Sequence, residues 1–297
     1  MNSLFTNSLK TLAAGLVLAA SAHSALATGL AHTYVSGTGN DSNAGDRTTP
    51  CATFQAALAN TLPGGVITAL DAGDYGPVNI TQAVTIDGSG VQASIVISSS
   101  SGTGITVNTA SSDTIILRHL SITGLPGTYT GIIAYAGNMV IDDCKISGFP
   151  TYGLKVGGVS TAVVDNTIIT GNYEGIRANS TGMVSLRNVT LQGNHSALEC
   201  EGGPLDISHS HITQNVTIGL YAFGSTLTAS DCMISGNGTG VFADTNSVIR
   251  LIDNDILNNT IGIDTTGPGT VSTSGNNHKA GNGTPGAPTP GKAIVQQ

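Results

Sequence analysis

A period of about 22 residues runs through the second half of this 297-residue chain and leaves few folds open to it. Glycine followed by an aliphatic residue opens a unit at Gly131, Gly153, Gly175, Gly219, Gly240 and Gly262, and Ala197 fills the slot between Gly175 and Gly219. Successive openings lie 22, 22, 22, 22, 21 and 22 residues apart. An earlier unit, opening at Gly104, runs 27 residues because of a Gly/Pro/Thr-rich insertion around residues 125–130. Inside each unit the pattern has the period of a strand, not of a helix. The residue after the opening is always aliphatic (Ile132, Leu154, Ile176, Leu198, Leu220, Val241, Ile263), and two further on it is small (Ala134, Val156, Ala178, Cys200, Ala222, Ala243, Thr265).

A second strand follows in each unit, as in Val184-x-Leu186 and Leu205-x-Ile207, and a third apolar site precedes a turn at Ile146, Ile169, Leu191, Ile212, Ile234 and Ile256. Asparagine recurs in that turn, at Asn172, Asn194, Asn215, Asn237 and Asn258. One such coil cannot bury its own apolar face. Stacked coils can, because they set equivalent residues about 4.8 Å apart in continuous ladders. The sequence therefore predicts an all-β parallel solenoid, with the asparagines forming a ladder of amides that bond from turn to turn.

This architecture accounts for a composition that is otherwise odd. The chain has forty glycines, 39% hydrophobic and only 9% charged residues, where about 25% charged is usual. So many apolar residues exclude a disordered chain. Ten Lys+Arg against eighteen Asp+Glu, a net charge of −8, leave no basic footprint for nucleic acid.

The ends differ from the middle. Residues 1–27 have the pattern of a secretion signal: Lys10 as the sole charge, an apolar stretch over 11–20, and Ala25-Leu26-Ala27 as a cleavage motif. That apolar stretch is too short to span a bilayer, so the protein is expected to be exported, extracellular or periplasmic, without membrane insertion. Residues 28–65 form an N-terminal lead-in whose stretch 53–62 spaces Phe54, Ala57, Leu58 and Leu62 as a short capping helix before Pro63-Gly64-Gly65. The solenoid then runs over 66–283, and the Pro-rich segment 284–297 is expected to be a disordered tail.

The Gly-aliphatic-x-small openings, the turns of the type Asp231-Cys232-Met233-Ile234-Ser235-Gly236-Asn237 and the segment from Tyr34 to Leu58 together resemble secreted proteins of the pectate-lyase-like superfamily, over roughly residues 33–283. The resemblance implies a right-handed, single-stranded parallel β-helix. It does not fix an activity, because that superfamily hosts lyases, hydrolases, epimerases and non-catalytic adhesins or tail fibres. The Arg-x-Pro-x-x-Arg stretch of pectate and pectin lyases is absent, as are the Asn-Thr-Asp, Gly-His-Gly and Arg-Ile-Lys motifs of polygalacturonases.

Cys144 and Cys232 occupy the same slot four coils apart, on the order of 19 Å by rung spacing and beyond disulfide reach. Cys200 lies in the inward small ladder, and Cys51 precedes the helix. All four are expected to be buried apolar side chains without a bridge.

Chemistry belongs on the outer faces, since inward positions are committed to packing. Along the first strand the outward rows include Lys155, Arg177, Glu199, Tyr221, Phe242 and, two residues on, Asn179, Glu201, Phe223, Asp244. Glu199 and Glu201 would face the same way about 6–7 Å apart by backbone, in the range of the paired carboxylates of glycoside hydrolysis. Arg177, Tyr221, Phe223, Phe242 and Asp244 would then hold the sugar; the alternative is a solvated face with an Arg177–Glu199 ion pair. On the second strand Asp142, Asp165 and Arg187 occupy successive rungs. The two carboxylates would share a Ca²⁺ ion, and the resemblance gives Arg187 the role of base in an elimination; the alternative is a charge-compensated row. His209 and His211 alternate without a third clustered ligand.

The sequence thus points to a secreted, monomeric β-helix that binds, and in one version cleaves, a polysaccharide or cell-surface glycan. Cleavage would use Glu199 and Glu201 in hydrolysis, or Asp142, Asp165 and Arg187 in elimination, with Ca²⁺ the sole cofactor in view. The rival is a non-catalytic structural or adhesive module.

Overall fold

The computed structural model describes residues 29–98, 102–127, 129–158 and 160–294; the predicted signal segment lies outside them. Within these bounds the chain winds into three parallel sheets of eleven, nine and ten strands, each coil contributing one strand to each. A representative coil runs through Glu174–Ser180 in the nine-stranded sheet, Val184–Arg187 in the eleven-stranded sheet and Thr190–Gln192 in the ten-stranded sheet. The pairing register is that of the repeat. Ile132, Leu154, Ile176, Leu198, Leu220, Val241 and Ile263 pair in succession, and all are buried. The row Ile146, Ile169, Leu191, Ile212, Ile234, Ile256 does the same in the ten-stranded sheet. Each such side chain contributes about 1.5–3 kcal/mol by burial, so the ladders hold the coils together.

Two corners set the cross-section. Between the eleven- and ten-stranded sheets the chain turns through a single left-handed residue on seven successive rungs, with φ 48–56° at His119, Asp143, Asn166, Asn188, His209, Asp231 and Asp253. Asn, Asp and His are the side chains that tolerate this conformation best. Between the ten- and nine-stranded sheets the left-handed position is held by Gly148, Gly171, Gly193, Gln214, Gly236, Asn258 and Gly281. From Gly171 onward the residue after it builds the asparagine ladder, which Phe149 tops by donating its N–H to Asn172 Oδ1. Asn172 donates both its backbone N–H and its Nδ2 to Asn194 Oδ1, each at 3.0 Å. The same pair of bonds recurs from Asn194 to Asn215, Asn215 to Asn237, Asn237 to Asn259 and Asn259 to Asn282. The sequence expectation of Asn258 as a rung is corrected to Asn259: Asn258 is exposed in the left-handed slot that glycine fills elsewhere. The opening glycines serve this ladder, since a Cβ on Gly175 would lie 2.5 Å from the Ala197 carbonyl oxygen and 3.1 Å from Asn194 Nδ2.

At the N-terminal end Leu30–Val35 already pairs with Thr61–Ala69, so the eleven-stranded sheet begins inside the predicted lead-in. The helix is shorter than the spacing predicts, Phe54–Ala59, with the Thr53 hydroxyl accepting the Ala56 N–H at 3.2 Å and Phe54, Ala57 and Leu58 buried. It stops because Thr61 enters a strand, its hydroxyl donating back to the Ala57 carbonyl at 2.6 Å. The C-terminal segment departs from the expected disordered tail. Thr284 and Ala293 bridge to Ile261 and Thr273 of the last coil, and the Thr289 and Ile294 N–H groups donate to the Val271 and Thr273 carbonyls, each at 2.8 Å. All four cysteines are free and buried.

Candidate functional site

The outer face of the nine-stranded sheet gathers what the sequence picked out there. Lys155, Arg177, Glu199, Tyr221 and Phe242 stand on successive rungs in register, and Glu201 pairs with Phe223. Arg177 is the hub. Its Nη1 donates to Glu201 Oε2 at 3.1 Å, its Nη2 to Glu199 Oε2, and Nε and Nη2 together grip Glu174 at 2.6 and 3.1 Å. Glu174 was not picked out by the sequence, and its geometry says why. Gly175 and Ile176 both point inward, so the alternation breaks and the residues flanking them, Glu174 and Arg177, emerge on the same side. An acid three residues before an arginine across a coil-opening glycine is the signal that strict alternation hides.

Aromatic rings frame this cluster. The Arg177 guanidinium lies 5.6 Å from the centre of the Tyr152 ring, and Lys155 Nζ lies 4.9 Å from the same ring. Tyr221 and Phe242 meet at 5.7 Å, the Tyr221 hydroxyl donates to Asp244 Oδ2 at 3.0 Å, and Phe223 stands 44% exposed beside Glu201. Glu199 is the perturbed acid: burial foremost, then the Glu174 charge, lift its pKa above the ordinary glutamate range despite Arg177. Burial alone would lower the Arg177 pKa, but the Glu174 hydrogen bond and the three carboxylates hold it above the usual arginine value. Tyr221 is pushed up to about 12, by burial first and then by Asp244.

Asp142, Asp165 and Arg187 do occupy successive rungs of the eleven-stranded sheet, in the register expected. They form part of a longer row, Asp87, Arg118, Asp142, Asp165, Arg187, on a different sheet from Glu199. Each of the two aspartates is engaged from the next coil, Asp142 Oδ1 by Asn166 Nδ2 at 3.0 Å and Asp165 Oδ1 by Asn188 Nδ2 at 3.1 Å. Calcium takes six to eight oxygens, and among the described residues no group of three or more His, Cys, Asp or Glu is placed to hold a metal ion. The donor set does not fit a calcium site. Also among the described residues, no helix is long and apolar enough to cross a membrane.

A family model described as "Right handed beta helix region" matches residues 78–203 and 130–282. No curated protein matches the chain in sequence. Among solved structures it is similar to pectate lyase Pel9A (TM-score 0.68, 15% identity, covering 89% of this chain and 78% of that one). It is also similar to tailspike protein 2 from Escherichia coli O157:H7 bacteriophage CAB120 (TM-score 0.58, 15% identity, 76% of this chain and 38% of that one). A third is the A-module of the Azotobacter vinelandii mannuronan C-5 epimerase AlgE4 (TM-score 0.50, 16% identity, 79% and 91%). At such identities the likeness is one of fold.

Proposed function

We propose, from the premise that the chain belongs to the right-handed β-helix family, that it binds a polysaccharide on the outer face of its nine-stranded sheet. One observation carries this reading: Arg177 fixes Glu174, Glu199 and Glu201 beside the Tyr221, Phe223 and Phe242 rings. Sugars present apolar C–H faces that stack on flat rings and hydroxyls that donate to carboxylates. A carboxylate set already held by an arginine meets those hydroxyls with little further loss of side-chain freedom. The names of two of the structural relatives, a pectate lyase and a mannuronan epimerase, agree with a carbohydrate partner. Residues 1–27 support action outside the cytoplasm.

Hydrolysis is the second reading, favoured by the raised pKa of Glu199. A carboxyl whose pKa is raised above the ordinary glutamate range suits the general acid that protonates a leaving oxygen. Glu201 would be its partner, as nucleophile or as base on water. Tyr221 and Phe223 would position the ring, and Phe242 and Asp244 would hold Tyr221 in place.

Affinity gel electrophoresis over a polysaccharide panel tests binding. Retardation by at least one polymer is expected, abolished in the Tyr221→Ala, Phe223→Ala double variant; unchanged retention in that variant rejects the face. Release of reducing ends that disappears in Glu199→Gln, with retention kept, establishes hydrolysis. Binding without any release leaves a non-catalytic module, and no retention on any polymer ends the carbohydrate reading.

A further inference from the structure

Beside the Arg177 cluster the chain turns the corner from the ten-stranded to the nine-stranded sheet, and this corner is grooved on both sides. On one side a groove of about 540 Å³ is lined by Pro126, Gly148, Phe149, Pro150, Asn172 and Tyr173, among others. On the other, a groove of about 190 Å³ is lined by Pro150, Thr151, Tyr152, Tyr173 and Glu174. Pro150 and Tyr173 belong to both, so the two grooves meet across them. The second groove ends on Glu174, which Arg177 grips with two hydrogen bonds, and on Tyr152, over which Arg177 and Lys155 sit. The corner therefore adjoins the cluster at Glu174, which shares Arg177 with Glu199 and Glu201.

Tyr173 is the pivot of that corner. It is 51% exposed, yet its ring is held flat against the His195 ring on the next rung, with centroids 4.5 Å apart and an interplanar angle of 11°. His195 Nδ1 is buried without a hydrogen-bond partner, so stacking, not a polar contact at that atom, sets the orientation of the pair. An exposed aromatic that is already immobilised costs little entropy to use as a contact.

Charge then restricts what crosses the corner. The 540 Å³ groove has no Asp, Glu, Lys or Arg in its lining. The adjoining cluster sets four carboxylates, Glu174, Glu199, Glu201 and Asp244, against two cations, Arg177 and Lys155, and Arg177 is already shared by three of the four. A uronate would bring its own negative charge to a cluster in which carboxylates outnumber cations four to two, with Lys155 over the Tyr152 ring as the one cation outside the carboxylate pairs, which costs affinity and slows encounter.

We infer that the ligand is an uncharged sugar chain that crosses this corner, with Tyr173 and Pro150 contacting one unit and the Arg177 cluster another. This rests on the carbohydrate reading above and goes beyond it in naming the class of polymer and its course. The test compares retention on neutral polymers (a β-glucan, a xyloglucan, a galactomannan) with retention on polygalacturonate. It uses the full chain and its Tyr173→Ala and Tyr173→Phe variants. We expect retention on a neutral polymer, no stronger retention on polygalacturonate, and about tenfold weaker binding in Tyr173→Ala, the loss of one stacked contact. Tyr173→Phe, which keeps the ring on His195, should bind as the parent does. Stronger retention on polygalacturonate, or undiminished binding in Tyr173→Ala, overturns the inference. If Tyr173→Ala is silent while the Tyr221→Ala, Phe223→Ala double variant loses binding, the corner crossing fails and the sheet-face reading stands. If neither matters, both fall.

Discussion

Replacing Arg177 by methionine removes the one positive charge around which three carboxylates are organised and leaves a side chain of similar reach. The expected cost follows from how far these groups are withdrawn from water. The side chains of Arg177, Glu174, Glu199 and Glu201 are 21%, 9%, 15% and 32% exposed. Fully exposed ion pairs are worth about 0.2–1 kcal/mol, and removing one partner of a buried pair costs about 3–5 kcal/mol. Three contacts at intermediate exposure place the loss at roughly 2–4 kcal/mol at pH 7, most of it the repulsion of carboxylates left facing one another.

The pH dependence has a definite sign. In the parent protein Glu199 has a raised pKa, so ionising it costs stability: that cost is absent below the ordinary glutamate range and in full force above the raised value. Arg177 lowers the Glu199 pKa; without it the penalty grows and extends to higher pH. Urea denaturation of parent and Arg177→Met at pH 7 and pH 4 therefore should show the 2–4 kcal/mol gap closing toward about 1 kcal/mol at pH 4, as protonation removes the repulsion. A gap under about 1 kcal/mol at pH 7, or one that stays constant with pH, would refute the view that this arginine holds an electrostatic cluster rather than a set of independent surface pairs.

Three further outcomes check other parts of the structure. Asn237→Ala strands the Asn215 N–H and removes one bond each from Asn215 Nδ2, the Ile212 carbonyl and Asn259 Oδ1, and should cost roughly 1–3 kcal/mol in chemical denaturation. Asn258→Gly, at an exposed left-handed residue, should cost nothing, and the reverse ranking would return the ladder to Asn258. In a spectrophotometric titration the Tyr221 step, isolated as the difference between parent and Tyr221→Phe, should fall near pH 12 and move down in Asp244→Asn, where the negative partner is gone; an unmoved step would break the Tyr221–Asp244 link. The four buried thiols, with Cys144 pushed up to about 12 and Cys232 to about 11 chiefly by burial, should ignore an aromatic disulfide reagent in the native protein and all react in denaturant. Fewer than four reacting groups would show a bridge.

The ladders were legible because their cause is local and periodic: an aliphatic after each coil-opening residue, a small residue two further on, and an apolar site before the turn recur at one spacing. Where the sequence misled, two physical roles competed for the same residue type. Asn258 and Asn259 are adjacent, and asparagine serves both the left-handed slot and the bonded rung; only the hydrogen bonds of Asn259 to Asn282 and Ile234 separate them. The segment 284–294 shows a similar ambiguity. Proline-rich composition suggests a free chain, but prolines only fix an extended backbone, and the N–H groups of Thr284, Thr289 and Ile294 between them find carbonyls on the last coils. Glu174 was hidden for a third reason, since two inward residues in succession displace the outer row by one.

The two acidic sets show why a row of charges is not yet a site. Asp142 and Asp165 stand on neighbouring rungs, as do Arg177 and Glu199, and a one-dimensional reading of the repeat treats them alike. In the eleven-stranded sheet each aspartate is engaged by an asparagine of the coil that follows it, so its charge is met along the stack and nothing converges. In the nine-stranded sheet the broken alternation at Gly175 adds a second outward residue to the Arg177 strand, and the next coil supplies two glutamates a pleat apart. Three carboxylates then reach one guanidinium from two directions. Burial first, and then the charge of Glu174 brought alongside, raise the Glu199 pKa, and the broken alternation at Gly175 is what brings Glu174 to that face.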